Sequence, residues 1–320
     1  MIEHLRRREE QLIPFGLRPD HAEWIALVCL HSGIFTRAQF CAYFGCRRNR
    51  ALRFVRRLLN RGWAVEDSLG GLPTTTRPCR IAHPDPYRAL EIPNPRHRRS
   101  ASWSVLFRRL LSLDTVLEHP HHPWLATEAE KVAAFEALGI PNPVFPRRYY
   151  HGHAAGQSRY FPLKLPLALD QHQATFVYCD PGRETDKELL SWGAAHAKLW
   201  TELRDRDLSV HVVAVSRDRT RCRRAETILR RWTRPGPGAE YQPLTPQEKK
   251  GIRRIEQAAL TNDQTYLAEY GGFAKAMDYR QMLLDRPDAI APKGRIRVDR
   301  TRTWISSRIP EDEASRDILV

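Results

Sequence analysis

The segment from Cys46 to Trp63, CRRNRALRFVRRLLNRGW, constrains the fold more than any other part of the chain. At about 100° per residue, the rotation of a helix, its side chains sort onto two opposed faces. One face is apolar and consists of Ala51, Leu52, Phe54, Val55, Leu58 and Leu59. The other is basic and amidic and consists of Asn49, Arg50, Arg53, Arg56, Arg57 and Asn60. A helix with this pattern docks by its apolar face and displays a row of guanidiniums.

The basic face has the chemistry of a surface that fits the DNA major groove. Guanidiniums bind phosphate oxygens and the O6/N7 edge of guanine, and an Asn side chain can pair with adenine. An ordinary surface helix with a solvated basic face is the alternative, and the helix alone fits both interpretations. The flanking sequence has to decide between them.

Positive charge is concentrated in the first third of the chain. Residues 1–110 hold 20 Arg, no Lys and 9 acids, which accounts for +11 of the total formal charge of +15. Such a local field favours a polyanionic partner, and the chain has no apolar run of transmembrane length. Double-stranded DNA is therefore the expected partner, and a membrane is not expected.

The start of the chain and its cysteines bear on the compartment. Residues 1–10 are charged, and the LIPFGL stretch that follows is too short for the apolar part of a secretory signal. The six cysteines are scattered in apolar or mixed surroundings, which is typical of buried free thiols in a reducing environment. A cytoplasmic location is the expectation.

The sequence around the Arg-faced helix predicts a winged helix-turn-helix. Arg18 to His31 has the pattern of a first helix, and a second, shorter helix opens at Thr36 and closes at Gly45. After Trp63, the stretches WAVEDS and TTTRPCRIA flank the turn LGGLP and predict two short strands of a wing. Arg77 and Arg80 would then touch a flanking phosphate or the minor groove. With Arg47 and the basic face of the helix, they complete the candidate DNA-binding set.

The remainder of the chain predicts an α/β core and further helices. Residues 91–101 are rich in Pro and basic residues and resemble a linker, and Thr127 with Glu130 has the form of a capping box. Strand patterns begin near Tyr149, and a helix from Asp186 to Arg204, a strand SVHVVAVS and a helix from Arg221 follow.

The predicted organisation is a multidomain chain of the α+β and α/β classes. Its segments are an N-terminal arm (1–17), the winged helix (18–90), a linker (91–101), a helical lead-in with the α/β core (102–234), an accessory helical region (235–287) and a poorly ordered tail (288–320).

An Arg-rich winged helix before a small α/β core that contains the stretch FVYCDPGRET resembles the replication-relaxation family of plasmid and mobile-element proteins. The resemblance covers roughly residues 18–232 and rests on architecture and that one stretch. It implies that the second domain has a restriction-endonuclease-like fold of the PD-(D/E)XK type. In that superfamily, two carboxylates hold Mg²⁺ and a Lys assists the attacking water.

The resemblance assigns Asp170 to the first acidic position, but the second strand departs from the family pattern. Tyr178, Cys179 and Asp180 stand where an acid and its Lys are expected. The remaining catalytic candidates are Asp170, Asp180, Glu184 and Lys187, in a displaced arrangement. The alternative is that Asp180 belongs to a turn and Glu184 favours the positive end of the next helix. The sequence thus favours a nuclease-like domain that has lost catalysis.

Three functional hypotheses follow. The first is a duplex-DNA-binding regulator or accessory replication or transfer factor of a plasmid or mobile element, acting as a homodimer or with other mobile-element proteins. The second is a DNA endonuclease targeted by its winged helix, and only this one requires Mg²⁺. The third is a scaffold that recruits protein partners. The chain has no P-loop, GxGxxG or GxSxG motif, so nucleotide-driven motors, dehydrogenases and ordinary hydrolases lose support.

Overall fold

The computed structural model describes residues 2–69, 72, 76–92, 98–150, 157–182, 186–233, 245–284 and 296–310, and the chain has a mixed α+β fold. The described part of residues 2–92, called here the N-terminal unit, contains four α-helices and a small sheet. The helices are α1 (Pro19–His31), α2 (Arg37–Phe44), α3 (Arg48–Asn60) and α4 (Asp85–Ala89), and the strands are β1 (Ile34–Phe35), β2 (Ala64–Glu66) and β3 (Cys79–Ile81). The strands pair antiparallel in the order β1-β3-β2.

Local signals in the sequence explain the boundaries of α2. Thr36 and Gln39 form a capping box at its start, since the Thr36 side chain accepts from the Gln39 amide and Gln39 accepts from the Thr36 amide. Gly45 ends the helix in the left-handed conformation, at φ 55°. The chain then turns directly into α3, so both ends of the α2–α3 connection follow from its sequence.

An aromatic cluster fixes the orientation of α3 on the other helices. Trp24 of α1, Phe40 of α2 and Phe54 of α3 are fully or almost fully buried. The rings of Phe40 and Phe54 stack with their centroids 4.7 Å apart. Aromatic pairs in such contact contribute about 0.5–1.5 kcal/mol beyond their buried area. The outer face of α3 is therefore held in one direction.

The first residues of the chain pack against α1. Two 3₁₀ segments, Glu3–Leu5 and Arg8–Phe15, precede α1, and both Leu5 and Leu12 are fully buried. Arg8 forms an ion pair with Glu130 at 2.7 Å, with both side chains largely buried. The segment named an arm from the sequence is thus part of the core.

A four-stranded sheet forms the second half of the molecule. Its order is β6 (Leu167–Leu169), β7 (Gln173–Asp180), β8 (Ser209–Ser216) and β9 (Arg300–Ile305). The β6–β7 pair is antiparallel, and β7, β8 and β9 are parallel. Between β7 and β8 runs α7 (Asp186–Arg204), and α8 (Arg219–Arg230) follows β8. Both central strands are mostly buried, as expected for strands covered on two faces.

Helix α5 (Trp103–Glu118) joins the N-terminal unit to this sheet. Gln39 donates through Nε2 to the carbonyl of Leu110 at 2.9 Å, and Ser112 lies 3.5 Å from the sulfur of Cys179 in β7. The sequence assigned this helix to the second domain alone, but it packs against both parts. Helix α6 (Glu128–Ala137) and the hairpin of β4 (Arg147–Tyr150) with β5 (Gln157–Tyr160) complete this region.

The expected disorder of residues 288–320 is wrong for residues 296–310, while residues 288–295 and 311–320 lie outside the described part. Ile296, Val298 and Ile309 are buried, and β9 pairs with β8 over six residues. The sequence RTRTWI lacks the apolar pattern of a buried strand. The reason is that β9 lies at the edge of the sheet, where alternating Arg and Thr side chains remain partly exposed. Residues 306–310 then return to α5, where the Ser306 hydroxyl donates to Asp114 at 2.5 Å.

The described residues between α8 and β9 form three helices. They are α9 (Pro246–Thr261), α10 (Gln264–Ala268) and α11 (Phe273–Leu284). A separate small core of Ile255, Ala258, Leu267 and Ala276 holds them together. The helical prediction for this region agrees with these elements, and α4 is a helix that the sequence patterns did not indicate.

Candidate nucleic-acid interface

Helix α3 separates its apolar and basic residues as its periodicity predicts. Ala51, Phe54, Val55 and Leu58 are buried, and Leu52 and Leu59 are half-buried at the edges of the contact. The exposed residues of the helix and its N-cap are Arg47, Arg48, Asn49, Arg53, Arg56, Arg57 and Asn60. Burial of one face therefore presents most of the predicted basic set to solvent.

Apart from that of Arg50, the charge on this face is not neutralised within the described part of the chain. Arg53, Arg56 and Arg57 form no ion pair there, and α3 has no acidic residue in its first turn. Neighbouring like charges at helical spacing destabilise an isolated helix by about 0.2–0.5 kcal/mol per pair. A solvated helix face usually interleaves both signs, so this arrangement is typical of a surface that meets an anion.

Arg50 differs from its neighbours because another side chain holds it. Its guanidinium contacts Asp20 of α1 at 3.1 Å and lies over the ring of Phe44, 4.9 Å from the centroid. Asp20 also pairs with Arg18, which precedes α1. These contacts hold the Arg50 side chain in place before any ligand binds. The Asp20 carboxylate also partly neutralises the charge that Arg50 presents to a ligand.

A basic depression of about 470 Å³ lies between α1 and α3. Its lining consists of Arg18, His21, Arg50, Arg53, Arg56 and Arg57. Arg18 was not among the predicted contacts. It stands immediately before a helix that begins with a proline, and this sequence signal could have placed it close to a helix N-terminus. The depression joins α1 to the exposed face of α3.

The N-terminus of helix α3 is also suited to binding an anion. Arg47 is the N-cap residue and makes no side-chain cap, so it does not satisfy the first amides of the helix. Asn49 is exposed beside it. Helix N-termini with available amides and nearby cations favour phosphate groups.

The prediction that Arg80 contacts DNA is wrong. Its side chain is only 8 % exposed, and it donates to both oxygens of Asp67, at 2.7 and 3.0 Å, and to the carbonyl of Arg98 at 2.6 Å. Arg80 therefore links the strands and the segment that follows them. Its neighbour Arg77 is exposed and remains in the candidate set.

Arg77 lies in a groove at the other side of α3. The lining includes Arg48 at the start of α3, Arg37 of α2, Arg308 and Thr76. Arg37 is paired with Glu66, and Arg308 with Asp114 and Glu118. Arg48 and Arg77 thus carry the charge that the groove presents. Arg308 could not be anticipated, since the sequence placed it in a disordered tail.

The catalytic candidates of the sheet do not converge. Asp170 follows β6, and its amide donates to the carbonyl of Gln173 at the beginning of β7. Asp180 stands at the end of β7, seven residues further along an extended strand. At about 3.3 Å per residue, the two carboxylates lie on the order of 23 Å apart, near opposite ends of β7. They cannot bind one metal ion together.

Each of these two carboxylates has a local structural role. Asp170 accepts from the amides of His172 and Gln173, both at 2.8 Å, and so forms the turn between β6 and β7. Asp180 accepts from the Gly182 amide at 2.8 Å, as an aspartate in a turn does. Lys187 is exposed on α7, and Glu184 lies outside the described residues.

The residues that replace the expected acid and lysine of β7 are part of the core. Tyr178 is buried against Trp192, and Cys179 is buried against Ser112. Burial raises the pKa of the Cys179 thiol to about 12. Within the described part of the chain, no group of three or more His, Cys, Asp or Glu side chains is arranged to hold a metal ion.

None of the helices in the described ranges combines the length and apolar character needed to cross a bilayer. Comparisons of the chain with models of known protein families, with curated proteins and with solved structures found no match.

Proposed function

We propose that residues 18–90 form a winged helix-turn-helix domain and that the protein binds duplex DNA with α3 in the major groove. The observation that carries this proposal is the set of three adjacent exposed guanidiniums, Arg53, Arg56 and Arg57, with no acidic partner in the described residues, on a helix held by its buried face. The strand order β1-β3-β2 around three helices supports the same assignment.

The dimensions of α3 suit this role. Its 13 residues extend about 20 Å at 1.5 Å per residue, and the major groove of B-DNA is about 12 Å wide. One helix can therefore place side chains on both phosphate backbones and on the base edges between them. Arg77 and Arg48 are the proposed contacts to a neighbouring phosphate, and Asn49 and Arg53 are the candidates for base contacts.

The biological role rests on the resemblance to the replication-relaxation family. We propose a cytoplasmic regulator or accessory replication or transfer factor of a plasmid or mobile element, which acts as a homodimer or with other proteins of the element. In this proposal, the sheet is a restriction-endonuclease-like domain without catalysis. The separation of Asp170 and Asp180 supports that part, because a shared metal ion needs both carboxylates at one point.

Titration of a labelled duplex at several salt concentrations tests DNA binding by α3. In the triple variant Arg53→Gln, Arg56→Gln and Arg57→Gln, we expect at least about tenfold weaker binding. The slope of log affinity against log salt should decrease in magnitude by about 0.9 for each phosphate that the variant no longer neutralises.

The matched control is Arg219→Gln, Arg223→Gln and Arg224→Gln on α8, which removes the same charge from another exposed helix. If the two triple variants lose affinity and salt dependence equally, only net charge matters, and the assignment of α3 is wrong.

Two alternative functions have their own tests. A targeted endonuclease would cut DNA in the presence of Mg²⁺ or Mn²⁺. If this cleavage is lost in both Asp170→Ala and Asp180→Ala while folding and DNA binding are retained, the endonuclease function replaces our proposal. A scaffold role draws on one observation, the exposed apolar side chains of α9 and α11, among which Leu260 is 85 % exposed. Failure of the protein to bind any duplex would favour the scaffold.

A further inference from the structure

A cavity of about 300 Å³ lies between α6, α7 and β7, beside the four-stranded sheet. Lys131 of α6, His196 of α7 and Phe176 of β7 contribute to its lining, and residues 161–167 close another side. Much of its wall is apolar and aromatic, formed by Phe161, Leu165, Leu167, Phe176, Val177 and Trp192. A cavity of this size, with apolar walls and a few placed polar groups, is typical of a small-ligand site.

Lys131 places a buried positive charge at this cavity. The residue is only 3 % exposed, and its ammonium donates one hydrogen bond, to the carbonyl of Leu165 at 2.6 Å. The same ammonium lies 5.7 Å from the centroid of the Phe161 ring. In the described part of the chain, Lys131 forms no ion pair, and two of its three N–H groups have no hydrogen-bond acceptor. Both groups are therefore available to a ligand.

The two acids of α6 that favour the charged form of Lys131 act from a distance, because other groups hold their carboxylates. Glu128 accepts from the Tyr160 amide at 2.8 Å, and Glu130 pairs with Arg8 at 2.7 Å. Burial lowers the pKa of Lys131 to about 8, so the amine is still mostly charged at pH 7. A buried cation with one hydrogen bond is unfavourable, and an anion in the cavity would stabilise it.

His196 supplies a hydrogen-bond acceptor to the same cavity. Its Nδ1 donates to the carbonyl of Trp192 at 2.8 Å. Burial lowers the pKa of His196 to about 4, and the charge of Lys131 acts in the same direction, so the ring is neutral and its Nε2 carries a lone pair. Among the described residues, Nε2 has no hydrogen-bond partner. The cavity thus offers a charged donor and a neutral acceptor.

The backbone and the opening of the cavity also suit a ligand. Phe161 has a left-handed conformation at φ 48°, which a bulky residue rarely adopts, and its ring stacks on that of Phe135 with the centroids 5.8 Å apart. Strained residues of this kind cluster at ligand sites. Ser191 and Ala195 of α7 line the cavity and are exposed, so a small molecule can enter along α7.

We propose that this cavity binds a small aromatic carboxylate that carries a hydroxyl or N–H group as its second polar contact. The carboxylate accepts from the two available N–H groups of Lys131, and the hydroxyl or N–H group donates to Nε2 of His196. The aromatic ring lies against Phe161 and Phe176. The site goes beyond DNA binding and does not depend on it, since its described lining residues lie between Lys131 and His196.

Calorimetric titration of the full chain with para-hydroxybenzoate, meta-hydroxybenzoate and indoleacetate tests the site. We expect saturable binding of at least one of these acids by the wild type. In Lys131→Met, this binding should become at least about tenfold weaker, because a charge-assisted hydrogen bond is lost with little change in side-chain volume. The uncharged alcohol that corresponds to the acid should bind the wild type at least about tenfold more weakly than the acid does.

The contact to His196 has its own readout. If Nε2 accepts from the ligand, the wild type prefers a hydroxybenzoate over benzoate, and His196→Phe should remove this preference while it keeps an aromatic ring at the position. A preference that persists in folded His196→Phe would overturn the assigned contact.

A matched pair of variants on α7 locates the binding. Ala194 and Ala195 are both exposed, but only Ala195 is among the lining residues. Ala195→Trp should fill the opening and weaken binding at least about tenfold, whereas Ala194→Trp should bind like the wild type. Thermal unfolding of both variants without ligand checks that the fold is retained.

Three results would overturn the proposal. The first is the absence of saturable binding of all three acids by the wild type. The second is equal affinity of the wild type for the acid and for its alcohol, or unchanged binding of the acid in folded Lys131→Met. The third is equal binding by Ala194→Trp and Ala195→Trp. If Lys131→Met does not fold, the alcohol and the α7 variants still decide.

Discussion

Asp114 offers a direct test of how the two halves of the molecule are held together. Its carboxylate is fully buried on α5 and contacts three side chains: Ser306 at 2.5 Å, Arg308 at 3.3 Å and Gln39 at 3.4 Å. These groups come from α2 and from the segment after β9. Burial nevertheless outweighs these favourable contacts and raises the pKa of the Asp114 carboxyl above its usual value. The contacts stabilise the fold, but the charge itself does not.

Two substitutions separate these effects. Asp114→Ala removes the acceptor of three hydrogen bonds from a buried site, and we expect a loss of about 2–4 kcal/mol in the free energy of unfolding. Arg308 keeps its contact with Glu118 at 2.8 Å, so its own charge is not left alone. Asp114→Asn retains the shape and an acceptor for Ser306, and should cost less than about 1 kcal/mol near neutral pH.

The pH dependence follows from the direction of the shift. Because the folded-state pKa of Asp114 is raised, its contribution favours the folded state below the unfolded-state pKa and is lost as pH rises through the folded-state pKa. The stability of Asp114→Asn relative to the wild type should therefore increase as the pH rises above the ordinary Asp pKa of about 4.

Urea unfolding of the wild type and both variants across this range measures the effect. Two results would show that the buried charge does not act in this way. One is a loss of unfolding free energy in Asp114→Asn as large as that in Asp114→Ala. The other is a stability of Asp114→Asn that falls relative to the wild type as pH rises.

Two further predictions concern the N-terminal unit. Arg80→Gln should lower the free energy of unfolding by about 2–3 kcal/mol, because it breaks the paired contact with Asp67, and should leave the DNA affinity of the folded protein unchanged. Arg77→Gln should weaken DNA binding and leave the free energy of unfolding unchanged. Unfolding curves and duplex titrations of both variants check this, and weaker DNA binding by folded Arg80→Gln would contradict it. Selection from a random duplex library should give altered base preferences for Asn49→Ala and Arg53→Ala and the wild-type motif for Arg77→Ala; an unchanged motif in all three would refute the proposed division between base and backbone contacts.

Helical periodicity or a capping signal predicted the secondary structure of several helices. Helix α7 has the bounds expected from its apolar spacing, and α6 begins with the capping box expected at Thr127. The two faces of α3 also followed from spacing alone. These features depend on residues within one turn or two of each other, so the local sequence contains the information.

Contacts between distant segments explain what the sequence did not reveal. Arg80 was assigned to DNA because its partner Asp67 lies in another segment, directly after β2, and is 13 residues away in the sequence. The strand β9 was missed because its partner β8 supplies the burial that its own composition does not suggest. The separation of Asp170 and Asp180, in contrast, could have been calculated from the eight-residue strand QATFVYCD, which follows Asp170 and ends at Asp180.

The position of β9 in the chain has a consequence for synthesis. The edge of β8 stays unpaired until Arg300 emerges, 84 residues after Ser216. At about 5–20 residues per second, this interval lasts on the order of 4–17 s, during which a buried-type strand has an open edge. The nascent chain therefore passes through a period in which another unfinished copy could pair with β8. Ribosomes translating one message in close succession would bring such copies together, so translation speed through residues 217–299 influences how much protein reaches the native sheet.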